Sequence, residues 1–127
     1  MIEPFKSSKA KSTRTKGAEG EDIAEEYLMQ KGFHIIKRNF IWGKIGEIDI
    51  VAMLNNQLVF VEVKTKTSKD FGDPLDWITP RKQKQLRTVA KGYFYVNQIY
   101  EQDCRFDVIT VDLTDGQKKI THIENAM

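Results

Sequence analysis

Apolar residues recur along this chain with two periods. From Gly17 to Lys31 they fall at helical spacing, with Ile23, Ala24, Tyr27 and Leu28 on one face, and Gly32 stands where helices commonly stop. Phe33 to Ile41 alternates like a strand and leads to a turn at Trp42-Gly43-Lys44. Gly46 to Lys66 reads as two strands joined by Asn55-Asn56, residues that accept the left-handed conformations of a two-residue type I′ turn. A polar loop with Gly72 and Pro74 follows from Thr67 to Ile78. Thr79 then suits an N-cap and Pro80 a first helical position. Leu86, Val89, Ala90, Tyr93 and Phe94 form the buried stripe of that second helix. Arg105 to Leu113 is a strand, Asp115-Gly116 a turn, and Lys118 to Ile123 a short last strand.

The central hairpin fixes its own register. With Asn55-Asn56 as the loop, Leu54 pairs with Gln57 and each cross-strand pair sums to 111. Asp49 then faces Glu62, Glu47 faces Lys64, and Val51 faces Phe60. The opposite face holds Ile48, Ile50, Ala52, Val59, Val61 and Val63. A one-residue slip would mix charged with apolar positions, so the pattern selects this pairing. Directly opposed carboxylates have β-carbons about 5 Å apart and destabilise a sheet unless something offsets them. A divalent cation with oxygen ligands from Asp49 and Glu62 does so. Lys64 lies two residues beyond Glu62 on the same face. Glu47 reads as its neutralising partner.

Other charged positions gather meaning around that pair. Glu21 projects along the edge of the first helix's buried face, whereas Glu19, Asp22 and Glu26 face water. Lys82 falls on the inward side of the second helix at its N-terminal end, where it calls for an acidic or phosphate partner. Arg81, Lys84, Arg87 and Lys91 line the outer side, and Lys66 ends the hairpin. Such a stripe suits a phosphate backbone and equally an ordinary solvated face. Phe71 and Trp77 offer rings to bases, although covering the core is the favoured role for Trp77. His34 reads as a half-exposed strand residue, and Asp107 as the centre of a structural hydrogen bond or salt bridge.

Composition narrows the classes. The chain has 127 residues and a formal charge of +2, which points to one domain and no strong overall bias. Residues 1–16 carry Lys6, Lys9, Lys11, Arg14 and Lys16 against Glu3 alone, and read as a disordered basic arm before a single domain at 17–127. That arm is either a solubilising tail or a phosphate contact. No apolar run approaches the ~18 residues that span a bilayer, and no apolar segment follows the basic start as in a secretory signal. Cys104 is the single cysteine, which excludes an intrachain disulfide and a Cys-rich zinc site; a reducing cytoplasm is expected.

Gly46-Glu47-Ile48-Asp49, followed after twelve residues by Glu62-Val63-Lys64, resembles the D…ExK core of the PD-(D/E)XK nuclease superfamily. Together with Gly20-Glu21-x-x-Ala24-x-x-Tyr27-Leu28, Arg38-Asn39, Lys82 with Leu86 and Ala90, and Arg105-Phe106-Asp107-Val108, it resembles the YraN-like (UPF0102) bacterial family of that superfamily. Ile48 stands where the superfamily often has proline. The resemblance covers residues 17–113 and implies an α/β, restriction-endonuclease-like fold with a mixed central sheet flanked by helices. It also implies similarity to archaeal Holliday-junction resolvases, whose first-helix glutamate corresponds to Glu21, and hence a homodimer.

The resemblance further implies a Mg²⁺- or Mn²⁺-dependent endonuclease acting on DNA, structured or branched DNA included. Asp49, Glu62 and Glu21 would hold the metal with the Val63 carbonyl, Lys64 would act on the attacking water or the developing charge, and Lys82 would bind phosphate or support the site. The alternatives are a nucleic-acid-binding module without turnover and an interaction protein on a nuclease scaffold. Fold alone does not decide among them.

Overall fold

The computed structural model describes residues 15–68 and 72–127. Helix α1 (Thr15–Gln30) is followed by strands β1 (His34–Trp42), β2 (Gly46–Leu54) and β3 (Gln57–Lys66). Helix α2 (Pro80–Val96) then leads to β4 (Cys104–Asp112) and β5 (Lys119–Ile123). Most of the basic arm lies outside the described residues, and α1 begins at Thr15, two residues before the expected start.

Five strands form one sheet in the order β1-β2-β3-β4-β5. The first three are antiparallel neighbours; β3 and β4 run parallel, joined by α2, and β5 returns antiparallel to β4. A parallel pair needs such a crossover, because its strands must start from the same end. The helices cover opposite faces. Ala24 and Leu28 of α1 pack on Ile50, Ala52, Val59, Val61, Ile109 and Val111. Leu86, Val89, Ala90 and Tyr93 of α2 pack on Phe40, Ile48, Val51, Leu58 and Phe60. The architecture is the mixed, helix-flanked, restriction-endonuclease-like arrangement. Among the described residues no helix is long and apolar enough to cross a membrane.

Local chemistry sets the boundaries. Asn55 and Asn56 have φ of 48° and 67°, the left-handed pair of a type I′ turn, and Leu54 pairs with Gln57. The Thr79 hydroxyl accepts from the backbone N–H of Lys82 at 3.1 Å and caps α2, with Pro80 in the first turn. Gly20 lets α1 approach β3, because a β-carbon there would collide with the Thr65 side chain.

Strict alternation puts Ile48 on the same face as Ile50, yet Ile48 packs under α2 with Val51, while Ile50 packs under α1. The strand changes face across Asp49. Opposite that residue, between the pairs Arg38–Ile50 and Phe40–Ile48, Asn39 has φ of 53°. A left-handed residue in β1 matches the turn in β2, and Asp49 sits at the break.

Candidate functional site

The β2–β3 ladder runs from Leu54–Gln57 in the expected register and ends at Ile50–Val61. The next expected pair, Asp49 with Glu62, is not part of it. Instead the Asp49 Oδ2 accepts a hydrogen bond from the backbone N–H of Val63 at 2.8 Å. Within a strand, one residue's N–H and C=O point to the same edge. The Val63 carbonyl is therefore turned toward the gap that opens between β2 and β3.

Burial dominates the electrostatics there. Asp49 is 8% exposed. Its carboxyl is pushed up to about 8, first by burial and then by the neighbouring Glu62 charge, with smaller contributions from Glu21 and Glu47; the Val63 N–H only partly opposes this. Glu62 is also raised by burial, against the pull of Lys82 and Lys64. The Lys82 Nζ lies 3.5 Å from Glu62 Oε2, whose side chain is 10% exposed. The structure thus gives inward-facing Lys82 the acidic partner that its position called for. The Lys64 Nζ lies 5.6 Å from the centroid of the Trp77 ring, within electrostatic reach of Glu62. Asp49, Glu62, Lys64 and Lys82 are therefore brought together from β2, β3 and α2.

Glu21 is turned toward β1. Its Oε1 accepts from Arg38 Nη2 at 3.3 Å and from Asn39 Nδ2 at 3.1 Å. Arg38 also donates to Glu25 at 2.6 Å and Asp22 at 3.1 Å. Burial would lower the Arg38 guanidinium, but these carboxylates outweigh it and hold the group above its ordinary value. This fan ties α1 to β1 and leaves Glu21 contributing charge to the Asp49 site. Glu25 carries the shortest of these contacts and escaped the sequence reading. Only its spacing of four from Glu21 could have signalled it. Asp22 is exposed as expected, yet it too pairs with Arg38. Glu47 is exposed and pairs in the ladder with Ile41 of β1; no ion pair joins it to Lys64 among the described residues.

Of the basic stripe, Arg81, Lys84, Arg87 and Lys91 are all exposed along α2. Lys66 Nζ sits 3.9 Å from Asp112 Oδ2 and is drawn partly into that pair. Phe71 lies outside the described residues.

A second polar centre lies under β5. Asp107, 1% exposed, takes two hydrogen bonds from Arg105, at 3.0 and 3.1 Å, one from the backbone of Asn125 at 3.1 Å, and one contact of 2.8 Å with His122 Nε2. His122 Nδ1 in turn meets the Tyr27 hydroxyl at 3.2 Å. Burial alone would raise Asp107. The bonds from His122, Arg105 and Asn125 outweigh it and hold the carboxyl below its ordinary range. Every acceptor site is filled, so this cluster is a clasp joining α1, β4 and β5. The structural role expected for Asp107 is seen; His122 was not anticipated.

Among the described residues, no three His, Cys, Asp or Glu side chains form a metal-ligating group. What the gap presents is two carboxylates and a strand edge. Divalent magnesium commonly takes one or two carboxylates and keeps several waters. Asp49, buried, and Glu62, 10% exposed at its side chain, are both held above their ordinary ionisation range and are hard oxygen donors whose charge a divalent cation would offset. The residues present fit such an ion.

Fold and site together define an α/β protein with a mixed, helix-flanked sheet and a largely buried acidic pair set against two lysines. The model of the uncharacterised protein family UPF0102 matches residues 20–111, and the chain belongs to that family. It is 46% identical over 112 residues to a UPF0102 protein of Alkaliphilus oremlandii, covering 87% of this chain and 95% of that one. It is 42% identical over 116 residues to one from Caldanaerobacter subterraneus, covering 89% and 94%. Among solved structures, SfsA of Pyrococcus furiosus in complex with Ca²⁺ is similar with a TM-score of 0.37 and 15% identity, over 89% of this chain and 64% of that one. A likeness at that level bears on neither fold nor chemistry.

Proposed function

We propose that this chain is a Mg²⁺- or Mn²⁺-dependent endonuclease that hydrolyses phosphodiester bonds in DNA. The observation that carries the reading is the Asp49–Glu62 pair, shielded from solvent at the open end of the β2–β3 ladder, with Lys82 paired to Glu62 and Lys64 within electrostatic reach of it. Asp49, Glu62 and the Val63 carbonyl would hold the cation, with Glu21 adding negative charge behind Asp49. When bound, such an ion polarises the scissile phosphate and lowers the pKa of an attacking water. Asp49 is fixed for this by its bond to the Val63 N–H; because burial and the Glu62 charge raise its carboxyl, it must release its proton to act as a ligand. Lys64 stands where an ammonium stabilises charge growing on the phosphate oxygens, a contribution of several kcal/mol in preorganised sites. Lys82 holds Glu62 until a phosphate competes for it. Arg81, Lys84, Arg87 and Lys91 extend positive charge over about 15 Å of helix, enough to follow the flanking backbone.

The test is cleavage of duplex, branched and single-stranded DNA, and of RNA, with Mn²⁺. Cleavage by the wild type that Glu62→Ala abolishes is expected. Equal residual signal from both proteins would remove catalysis from this site. The exposed basic face of α2 also favours a second reading, a nucleic-acid-binding module without turnover. Salt-sensitive, metal-independent binding without cleavage would select it.

A further inference from the structure

Next to the C-terminal half of α2 lies an apolar hollow of about 420 Å³, a volume within the range of ligand pockets. Phe94 and Phe106 line it, with Arg87 and Lys91 on the α2 side, Gln102 just before β4 and Cys104 at its start. Its aromatic wall is braced from inside. Phe106 stacks on the buried Phe60 at 5.2 Å and 29°, and Phe94 meets the same ring at 6.2 Å. The Gln102 Nε2 is committed to the carbonyls of Asn56 and Asp103, at 2.5 and 3.2 Å, which leaves the amide oxygen as the acceptor.

Arg87 and Lys91 are one helical turn apart, both exposed, and belong to the same stripe as Arg81 and Lys84. They follow Lys82, the residue on Glu62, by five and nine positions, about 8–14 Å along the helix axis. A strand keeping duplex spacing, about 3.4 Å per phosphate, would cover that distance in two to four nucleotides, and an extended unpaired strand in fewer. Aromatic rings and cations spaced along a backbone track are the components with which proteins hold single-stranded nucleic acid.

We infer that this hollow seats an unpaired base of a nucleic-acid strand, its neighbouring phosphates held by Arg87 and Lys91, a few nucleotides from the Asp49–Glu62 pair. The inference rests on the proposed function and narrows its substrate to DNA with an unpaired stretch beside the cut. An acyl anion would match the apolar wall and one cation, but not the continuation of the cationic track toward the acidic pair.

Cys104, the single cysteine, lines the hollow and is exposed, so its alkylation reports occupancy without any substitution. The full-length wild-type protein is labelled with a maleimide in metal-free buffer, alone and with saturating oligothymidylate, an abasic oligomer of equal length, a paired duplex or dodecanoate. Oligothymidylate should slow labelling at least fivefold, and the abasic oligomer and duplex should bind without slowing it. Phe94→Ala should weaken oligothymidylate binding about tenfold, the scale of one lost base–aromatic stack, and leave duplex affinity unchanged. Binding of oligothymidylate with unaltered labelling overturns the seat and leaves the nuclease reading standing. Protection by dodecanoate alone, or by raised protein concentration alone, assigns the hollow to an acyl anion or a second copy and also overturns it. Loss of binding to every nucleic acid removes the seat together with the function on which it rests.

Discussion

The Asp49 carboxylate oxygen lies 2.8 Å from the backbone nitrogen of Val63 and takes the hydrogen bond that a continued β2–β3 ladder would otherwise supply. One side chain therefore satisfies a buried donor, ends the ladder and holds an acid at the gap. A buried N–H left unsatisfied would cost about 1–3 kcal/mol, so the strand ends here with its donor occupied.

That placement predicts a pH dependence. The Asp49 carboxyl ionises near 8 when folded and near its ordinary value of about 4 when unfolded. The folded state therefore binds more protons between those values, and this group's stabilising contribution, full below about pH 4, is lost as pH rises through 8. Asp49→Asn keeps an acceptor for the Val63 N–H and removes the titration. In metal-free buffer the variant should be more stable than the wild type by on the order of 2 kcal/mol at pH 9, and the gap should close toward pH 4. Urea unfolding across that range measures it; parallel curves would show that Asp49 is not held protonated.

The Lys82–Glu62 ion pair predicts opposite effects on metal binding and on DNA binding. Its ammonium lies 3.5 Å from Glu62 Oε2 and competes with any cation for that oxygen. Lys82→Ala should tighten Mn²⁺ binding about tenfold, a change of ~1.4 kcal/mol and a fraction of the interaction of two charges at that range. It should weaken DNA binding at the same time. Calorimetry and a filter-binding assay read the two effects. Weaker Mn²⁺ binding would mean that Lys82 only braces Glu62.

The clasp under β5 predicts acid sensitivity. The Asp107 carboxyl is held below its ordinary value, so its contribution is present above about pH 4 and is lost as pH falls through the folded value. Asp107→Asn turns an N–H₂ toward Arg105 or His122 and should cost about 3 kcal/mol at pH 7. The penalty should shrink below pH 4, where the wild type itself loses the carboxylate. A penalty constant from pH 3 to 7 in urea titrations would contradict this account.

Much of this was legible in the sequence because the signals are local. Asn55-Asn56 dictated the turn and, through it, the hairpin register; Thr79-Pro80 dictated the start of α2. Asp49 and Glu62 were recognisable because acids stood among strand residues that had to be buried. The change of face at Asp49 was not legible, since it depends on the left-handed Asn39 in the neighbouring strand. His122 was missed for a similar reason. It reaches Asp107 only through the β4–β5 register, set by the 3₁₀ turn at Thr114–Gly116, and Asp115-Gly116 signals a turn without its length. Arg38 shows the same limit, because its three carboxylate partners are specified by helix-to-strand packing and not by spacing.

Asp49 and Glu62 are the proposed divalent-cation site. Calorimetric titration of Mn²⁺ into the wild type and into Asp49→Asn at pH 8 tests it most directly. The wild type should bind with proton release, seen as a heat that changes with the ionisation enthalpy of the buffer, and the variant should lose at least tenfold in affinity. Equal heats and affinities in the two proteins would contradict it.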